Sequence, residues 1–171
     1  MNVRIAKPTD LAQIVSLAQE VYTQTFGDEM SEEELKLALE TRSESYFNKA
    51  IETDEIFVAE IGNQIVGFIQ FGVVSYEEVE AKPEDIELNK IYVDPNYHGQ
   101  GIGKKLIEAM LSSKRIKPTS DIYLDVYAKN EKATSLYKKY GFVEIGKVPF
   151  KTNQKVVGYD ILMKRSHRFI S

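Results

Sequence analysis

The stretch Ile91-Tyr92-Val93-Asp94-Pro95-Asn96-Tyr97-His98-Gly99-Gln100-Gly101-Ile102-Gly103 constrains this chain more than any other. A β-branched apolar run stops at Asp94-Pro95, and glycines then stand at three alternate positions. Lys104-Lys105-Leu106-Ile107-Glu108-Ala109-Met110-Leu111 follows, with apolar residues at helical spacing. The order is strand, glycine loop, helix. A helix's first turn has N–H groups without intrahelical partners and a partial positive charge, which suits phosphate or pyrophosphate. Glycine lets ligand oxygens reach the backbone because no Cβ intervenes. The stretch points to a phosphate-bearing cofactor held by main chain, although taken alone it equally suits a plain tight turn. A dinucleotide fingerprint fits poorly, since no clear run of parallel βαβ units precedes the glycines. A P-loop fits worse, because no Gly-Lys-Ser/Thr ending is present.

A chain of 171 residues suits one domain with a sizeable core, read here as 1–164 with a tail at 165–171. No apolar run reaches membrane-spanning length, and Met1-Asn2-Val3-Arg4 does not begin a signal peptide. Cysteine is absent, which excludes disulfides, thiolate nucleophiles and cysteine-ligated metal. With only His98 and His167 present, a histidine metal centre is not expected. The net charge of −4 argues against nucleic acid as the main partner. A cytoplasmic, cofactor-using enzyme fits these limits.

Val3-Arg4-Ile5-Ala6 reads as a first strand, and Thr9 or Asp10 as the cap of a helix through Leu11, Ile14, Val15, Ala18, Val21 and Tyr22. Ser31 and Glu34 have the form of a capping box opening a second helix. A helical turn or two is expected over 45–51. Ile56 to Ile61 and Gln64 to Phe71 flank Gly62-Asn63 as a hairpin. The Glu-rich segment 75–85 reads as loop, and Leu88 to Val93 as the strand before the glycines. Ile122 to Tyr127 is another strand. Asn130 then caps a helix over 131–140 that ends at Gly141, with Ala133, Leu136, Tyr137 and Tyr140 on one face. Phe142 to Val148 and Val157 to Lys164 form a closing hairpin, with 149–155 as a long turn.

Strand, glycine loop, helix, strand, Asn-capped helix with an inner Tyr, then Gly-Phe: this ordered series resembles the GNAT superfamily of N-acetyltransferases, most strongly from Glu87 to Phe142. The resemblance implies an α/β (α+β) fold. Its mixed, curved seven-stranded sheet has helices on both faces, and strands four and five are splayed at one end. Acetyl-CoA is implied as cosubstrate, with no metal. Carried over, the pyrophosphate donors are the main-chain N–H groups of His98, Gly99, Gln100, Gly101, Ile102, Gly103 and Lys104. The family pattern starts with Gln or Arg, so His98 at that position is a departure. The main-chain cradle does not depend on it, and on pKa alone the imidazole is also a candidate base.

The resemblance places the backbone of Ile91, Tyr92 and Val93 beside the pantetheine arm. One N–H there meets the thioester oxygen, where charge develops as an amine attacks. Tyr137 is implied as general acid toward the departing thiolate. A phenol near pKa ~10 and a thiol near ~8.5 are close enough for a short hydrogen bond to suffice. Its ring also suits a core stripe. Asn130 caps its helix in any fold, and in the family it contacts the cofactor arm. Glu87 takes the place of a carboxylate that assists amine deprotonation. An alkylammonium and a carboxylate differ by about 6 pKa units, roughly 8 kcal/mol, so ordering water or binding the ammonium is a better role than complete proton transfer. The structural alternative is a solvated strand-end carboxylate.

Glu20-Val21-Tyr22-Thr23-Gln24-Thr25-Phe26, Glu87 to Val93, Lys129-Asn130-Glu131 and Asp160-Ile161-Leu162-Met163 look most like the PaiA-type polyamine acetyltransferases. Spermidine and spermine are thereby implied as acceptors. Glu77, Glu78, Glu80, Glu84, Asp85 and Glu87, with Asp28, Glu29 and Glu32, could concentrate a polycation, or be an ordinary solvated face. Lys147, Lys151 and Lys155 depart from relatives that are acidic there, and suit an acceptor carrying a carboxylate. Two other functions fit the same residues: a non-catalytic acyl-CoA-binding regulator, and an acetyltransferase for protein lysines or amino termini. Homodimerisation is common in the superfamily and enters only as analogy.

Overall fold

The computed structural model describes residues 1–152 and 155–169. In chain order its elements are β1 (Asn2–Ile5), α1 (Leu11–Phe26), α2 (Glu32–Glu40), α3 (Glu44–Thr53), β2 (Glu55–Ile61), β3 (Gln64–Val73) and β4 (Ile86–Val93). There follow α4 (Ile102–Leu111), β5 (Ile122–Val126), α5 (Glu131–Lys139), β6 (Phe142–Thr152) and β7 (Lys155–Arg165). The seven strands form one open sheet in the order β1-β2-β3-β4-β5-β7-β6. β4 and β5 pair in parallel at Ile86↔Ile122 and Glu87↔Tyr123, whereas β1–β2, β2–β3, β5–β7 and β6–β7 are antiparallel, so the sheet is mixed. The chain divides into two compact units, Met1–Phe71 with Lys90–Ser112, and Gly72–Asn89 with Ser113–Ser171.

In the first unit, β3 is buried along its whole interior because helices cover both of its faces. Ile56, Val58 and Phe68 on one face join Ile14, Leu17 and Ala18 of α1 and Phe47 and Ala50 of α3. The Phe47 and Phe68 rings meet edge to face at 5.6 Å. Successive strand residues point to opposite faces, so Gly67 looks the other way, toward α4. A Cβ there would lie 3.0 Å from the Tyr92 carbonyl oxygen, 3.1 Å from Ile102 Cγ2 and 3.3 Å from Leu106 Cδ1. Glycine thus lets α4 seat closely on the sheet. Gly67→Ala is expected to destabilise the fold by about 1–3 kcal/mol, read as a lower urea midpoint at unchanged slope.

Ser31 and Glu34 form the expected capping box, with Ser31 Oγ accepting from the Glu34 N–H and the Glu34 carboxylate accepting from the Ser31 N–H. The start of α1 differs from expectation. The Asp10 carboxylate does not cap the helix but takes both Arg4 Nη atoms, at 2.7 and 3.0 Å, and the Lys7 N–H. An arginine from β1 outcompetes the local cap because a paired, charge-assisted bond is stronger. The helical turn expected over 45–51 is a full ten-residue helix, α3, whose N-cap Ser43 accepts from the Tyr46 N–H.

In the second unit, β6 and β7 run on through most of the segment expected to be a long turn, pairing Pro149↔Tyr159, Phe150↔Gly158 and Lys151↔Val156. A proline is tolerated because β6 is an edge strand, where a missing N–H leaves no ladder bond unmade. Lys147 and Lys151 are exposed on this strand, while 153–154 at the tip of the expected turn lie outside the described residues. The segment after β7 folds back. His167 bonds Asp121 through its N–H at 2.8 Å and its Nδ1 at 2.6 Å. The Phe169 ring leaves no room for a side chain at Gly141, which also holds φ at +85°.

Candidate active site

The glycine loop belongs to the first unit. The Asp94 N–H donates to the Val66 carbonyl at 2.9 Å and fixes the end of β4 against β3. The Asp94 carboxylate accepts from the Asn96 N–H, turning Pro95–Tyr97 into one short 3-10 turn. Gly99 and Gly101 then adopt φ of +80° and +75°. Among the described residues nothing lies within 4 Å of a Cβ built at either position, so the left-handed backbone, not crowding, calls for glycine. Gly101 is the N-cap of α4, and among the described residues no side chain caps this helix. Its first intrahelical bond is Lys105 N–H to the Gly101 carbonyl at 3.1 Å, so the N–H groups of Ile102, Gly103 and Lys104 open it without backbone partners among the described residues. Most helices supply a Ser, Thr, Asp or Asn oxygen at this point. At Gly101 no such oxygen is supplied, and an open helix start of this kind is chemically suited to an anion.

His98 Nε2 lies 3.1 Å from the Val93 carbonyl, which ties the imidazole back to the strand end. Backbone groups on a strand point alternately to its two edges. Asp94 N–H faces β3, and so does the Tyr92 carbonyl that crowds Gly67. The N–H and carbonyl groups of Ile91 and Val93 therefore face the opposite edge. The last five residues of β4 are half-exposed although it is the fourth of seven strands. Tyr92 differs from its neighbours: its ring packs on Phe68 at 5.5 Å, and its hydroxyl accepts from Arg42 Nε at 2.9 Å. Lys104 is exposed and lies 3.8 Å from Glu108. Gln100 is exposed on the loop.

Glu87, Asn130 and Tyr137 belong to the second unit. Glu87 is not a solvated strand-end carboxylate; it is buried. Oε2 accepts from the Ser75 N–H at 2.7 Å and the Ser75 hydroxyl at 2.8 Å, and Oε1 accepts from Asn89 Nδ2 at 3.0 Å. Asp85 is likewise buried, accepting from the N–H groups of Lys82 and Asp121, so two of the acidic residues expected on a solvated face anchor backbone instead. Glu77, Glu78 and Glu80 are exposed. Asn130 Oδ1 caps α5 through the Ala133 N–H at 3.1 Å. Tyr137 is buried, with its ring 5.8 Å from that of Phe142.

The same unit holds a group that the sequence reading missed. The Tyr76 hydroxyl donates to Asp125 at 2.5 Å. Burial, then the Asp125 and Glu87 carboxylates, push the Tyr76 phenol far above its ordinary range, so it remains a donor. Burial, then a hydrogen bond to Asp125 and its charge, push Asp160 up to about 7. A polar residue interrupting the apolar run of β5 was the one available signal for Asp125. With its folded value above its unfolded one, Asp160 keeps a proton that the unfolded chain releases near pH ~4. Its contribution to stability is present below that pH and lost as pH rises through about 7. Asp160→Asn preserves the neutral form. It should be more stable than the parent at about pH 8, by ~1 kcal/mol after allowing for solvent screening, and equal below about pH 4 in urea titrations.

Residues 52–144 match the model of the acetyltransferase (GNAT) domain, a segment that runs through parts of both units. The chain is 30% identical over 140 residues to the thialysine N-epsilon-acetyltransferase of Bos taurus, covering 81% of this chain and 82% of that one. It is 28% identical over 94 residues to the spermine/spermidine N(1)-acetyltransferase of Bacillus subtilis, covering 54% of this chain and 62% of the relative. Among solved structures it resembles the PaiA N-acetyltransferase of Thermoplasma acidophilum in complex with coenzyme A. The TM-score there is 0.69 at 23% identity, covering 97% of this chain and 99% of that one, a likeness of fold. Among the described residues no helix is long and apolar enough to cross a membrane. The extent of the domain match and the mixed seven-stranded sheet agree: the chain belongs to the GNAT family and is an acetyltransferase.

Proposed function

We propose that this protein transfers an acetyl group from acetyl-CoA to a primary amine by direct attack in a ternary complex, in the cytoplasm. The observation that carries the reading is the uncapped start of α4 behind two left-handed glycines. In this reading the N–H groups from His98 to Lys104 receive the pyrophosphate, with the helix field adding to them. The Ile91 and Val93 backbone edge receives the pantetheine arm, and Asn130 keeps the role of capping α5.

Acetyl-CoA supplies the thioester, whose C–S bond breaks as the nitrogen lone pair forms the N–C bond. An N–H of the β4 edge donates to the acyl oxygen as charge builds on it, a fixed donor that needs no reorganisation. The Tyr137 hydroxyl donates its proton toward the departing sulfur. The ammonium loses a proton to solvent before it attacks, and the proton that nitrogen sheds after attack restores the Tyr137 phenol. Glu87 already accepts three hydrogen bonds, so its assigned role is to hold the local network and its water rather than to take the proton outright.

A small primary amine is the acceptor in this reading. Spermidine and spermine are the candidates supported by the 28% identical relative, which this chain matches over 62% of its length. The test is thiol release from acetyl-CoA against a panel of polyamines, amino acids, aminoglycosides and peptides. Release with at least one small amine supports the proposal. Coenzyme binding without release for any member contradicts it.

A further inference from the structure

We propose that Arg42 receives a carboxylate of the acetyl acceptor, so that the acceptor is an amino acid whose side chain ends in a primary amine. The proposal rests on the acetyltransferase reading above and narrows its acceptor. All the residues that carry it lie in the first unit.

Arg42 follows α2 and is half-buried. The carbon of its guanidinium lies 3.7 Å from the centre of the Tyr22 ring, a stacked cation–π arrangement. Nε donates to the Tyr92 hydroxyl at 2.9 Å, and Nη1 donates to the Ala38 carbonyl at 2.6 Å and to Thr41 Oγ1 at 3.0 Å. Those bonds use the Nε and Nη1 sides of the fork and fix its plane, so little freedom remains to be lost when a ligand binds. Nη2 has no hydrogen-bond partner among the described residues, and none of their carboxylates lies within ion-pair distance of this guanidinium. Arg4 makes the contrast, since Asp10 and Glu60 both pair with it. A half-buried charge without a counter-ion is costly, and the two N–H groups of Nη2 remain to donate charge-assisted hydrogen bonds to a carboxylate.

Tyr92 links this fork to the chemistry. It stands between Ile91 and Val93, whose opposite edge carries the thioester in the proposed reading. An amine acceptor anchored at Arg42 by a carboxylate is held beside that strand. Spermidine and spermine carry only cations and would meet Arg42 as like charges, so the same fork that selects a zwitterion also disfavours a polyamine.

The test compares acceptors that differ only by the carboxylate. Thiol release gives kcat/KM for lysine against cadaverine and for ornithine against putrescine, with spermidine included, in the parent and in Arg42→Gln and Arg42→Lys. The parent is expected to favour the carboxylate member of each pair by about 10- to 100-fold, the range of a charge-assisted hydrogen bond. The ratio should fall to near one in Arg42→Gln and keep part of its value in Arg42→Lys, at an unchanged KM for acetyl-CoA. A partly unfolded variant lowers both members of a pair together, so the ratio reads recognition alone. A parent that acetylates cadaverine or spermidine as well as lysine overturns the inference while leaving the acetyltransferase reading intact. So does a ratio that survives in Arg42→Gln. A rise in KM for acetyl-CoA instead of the ratio change would assign the fork to a coenzyme phosphate. No thiol release with any amine takes down the reading and this inference together.

Discussion

Tyr137→Phe is expected to lower kcat by about 100-fold or more while the coenzyme dissociation constant moves by no more than about twofold. The ring is buried against Phe142, and phenylalanine keeps that packing, so only the hydroxyl is lost. General acid assistance contributes on the order of 10²–10⁴-fold, and a thiolate leaves readily enough to put this site at the lower end. Steady-state thiol release and calorimetry with coenzyme A separate the two quantities. Equal turnover in the variant would remove Tyr137 from the mechanism.

Gly101→Val is expected to weaken coenzyme A binding by about 10- to 100-fold with little change in the melting temperature. Gly101 holds φ at +75°, where a left-handed L-residue costs roughly 1–2 kcal/mol and a β-branched one more. The loop can relieve that strain by turning its amides away, and the N–H groups opening α4 then lose their common direction. Among the described residues no atom lies within 4 Å of the added Cβ, so no packing clash adds to the backbone strain that the loop relieves by rearranging. Affinity lost at constant stability is the signature of a cradle. Loss of both together would make the glycine structural.

The glycine loop was legible in the sequence because its physics is local: three glycines between a strand and an amphipathic helix have few uses. The capping box at Ser31 and Glu34 and the Asn130 cap were legible for the same reason. Features decided by distant partners were not. Asp10 looks like a cap until Arg4 of β1 claims it. Glu87 could be read as solvated or functional, because its burial depends on Ser75 in a loop with no apolar period. Pro149 and the lysines around it read as turn, since only the position of β6 at the sheet edge makes a proline harmless there. Tyr76, Asp125 and Asp160 come from a loop and two strands, and no spacing in the chain announces their meeting.

The central claim is that main-chain donors from His98 to Lys104 hold the coenzyme through its pyrophosphate. Calorimetry with coenzyme A and with pantetheine, which lacks that group, tests it most directly. Coenzyme A should bind at least about 100-fold more tightly than pantetheine, a difference near 2.7 kcal/mol, and Gly101→Val should remove most of that advantage. Equal binding of the two ligands, or an advantage that Gly101→Val leaves whole, would contradict the account.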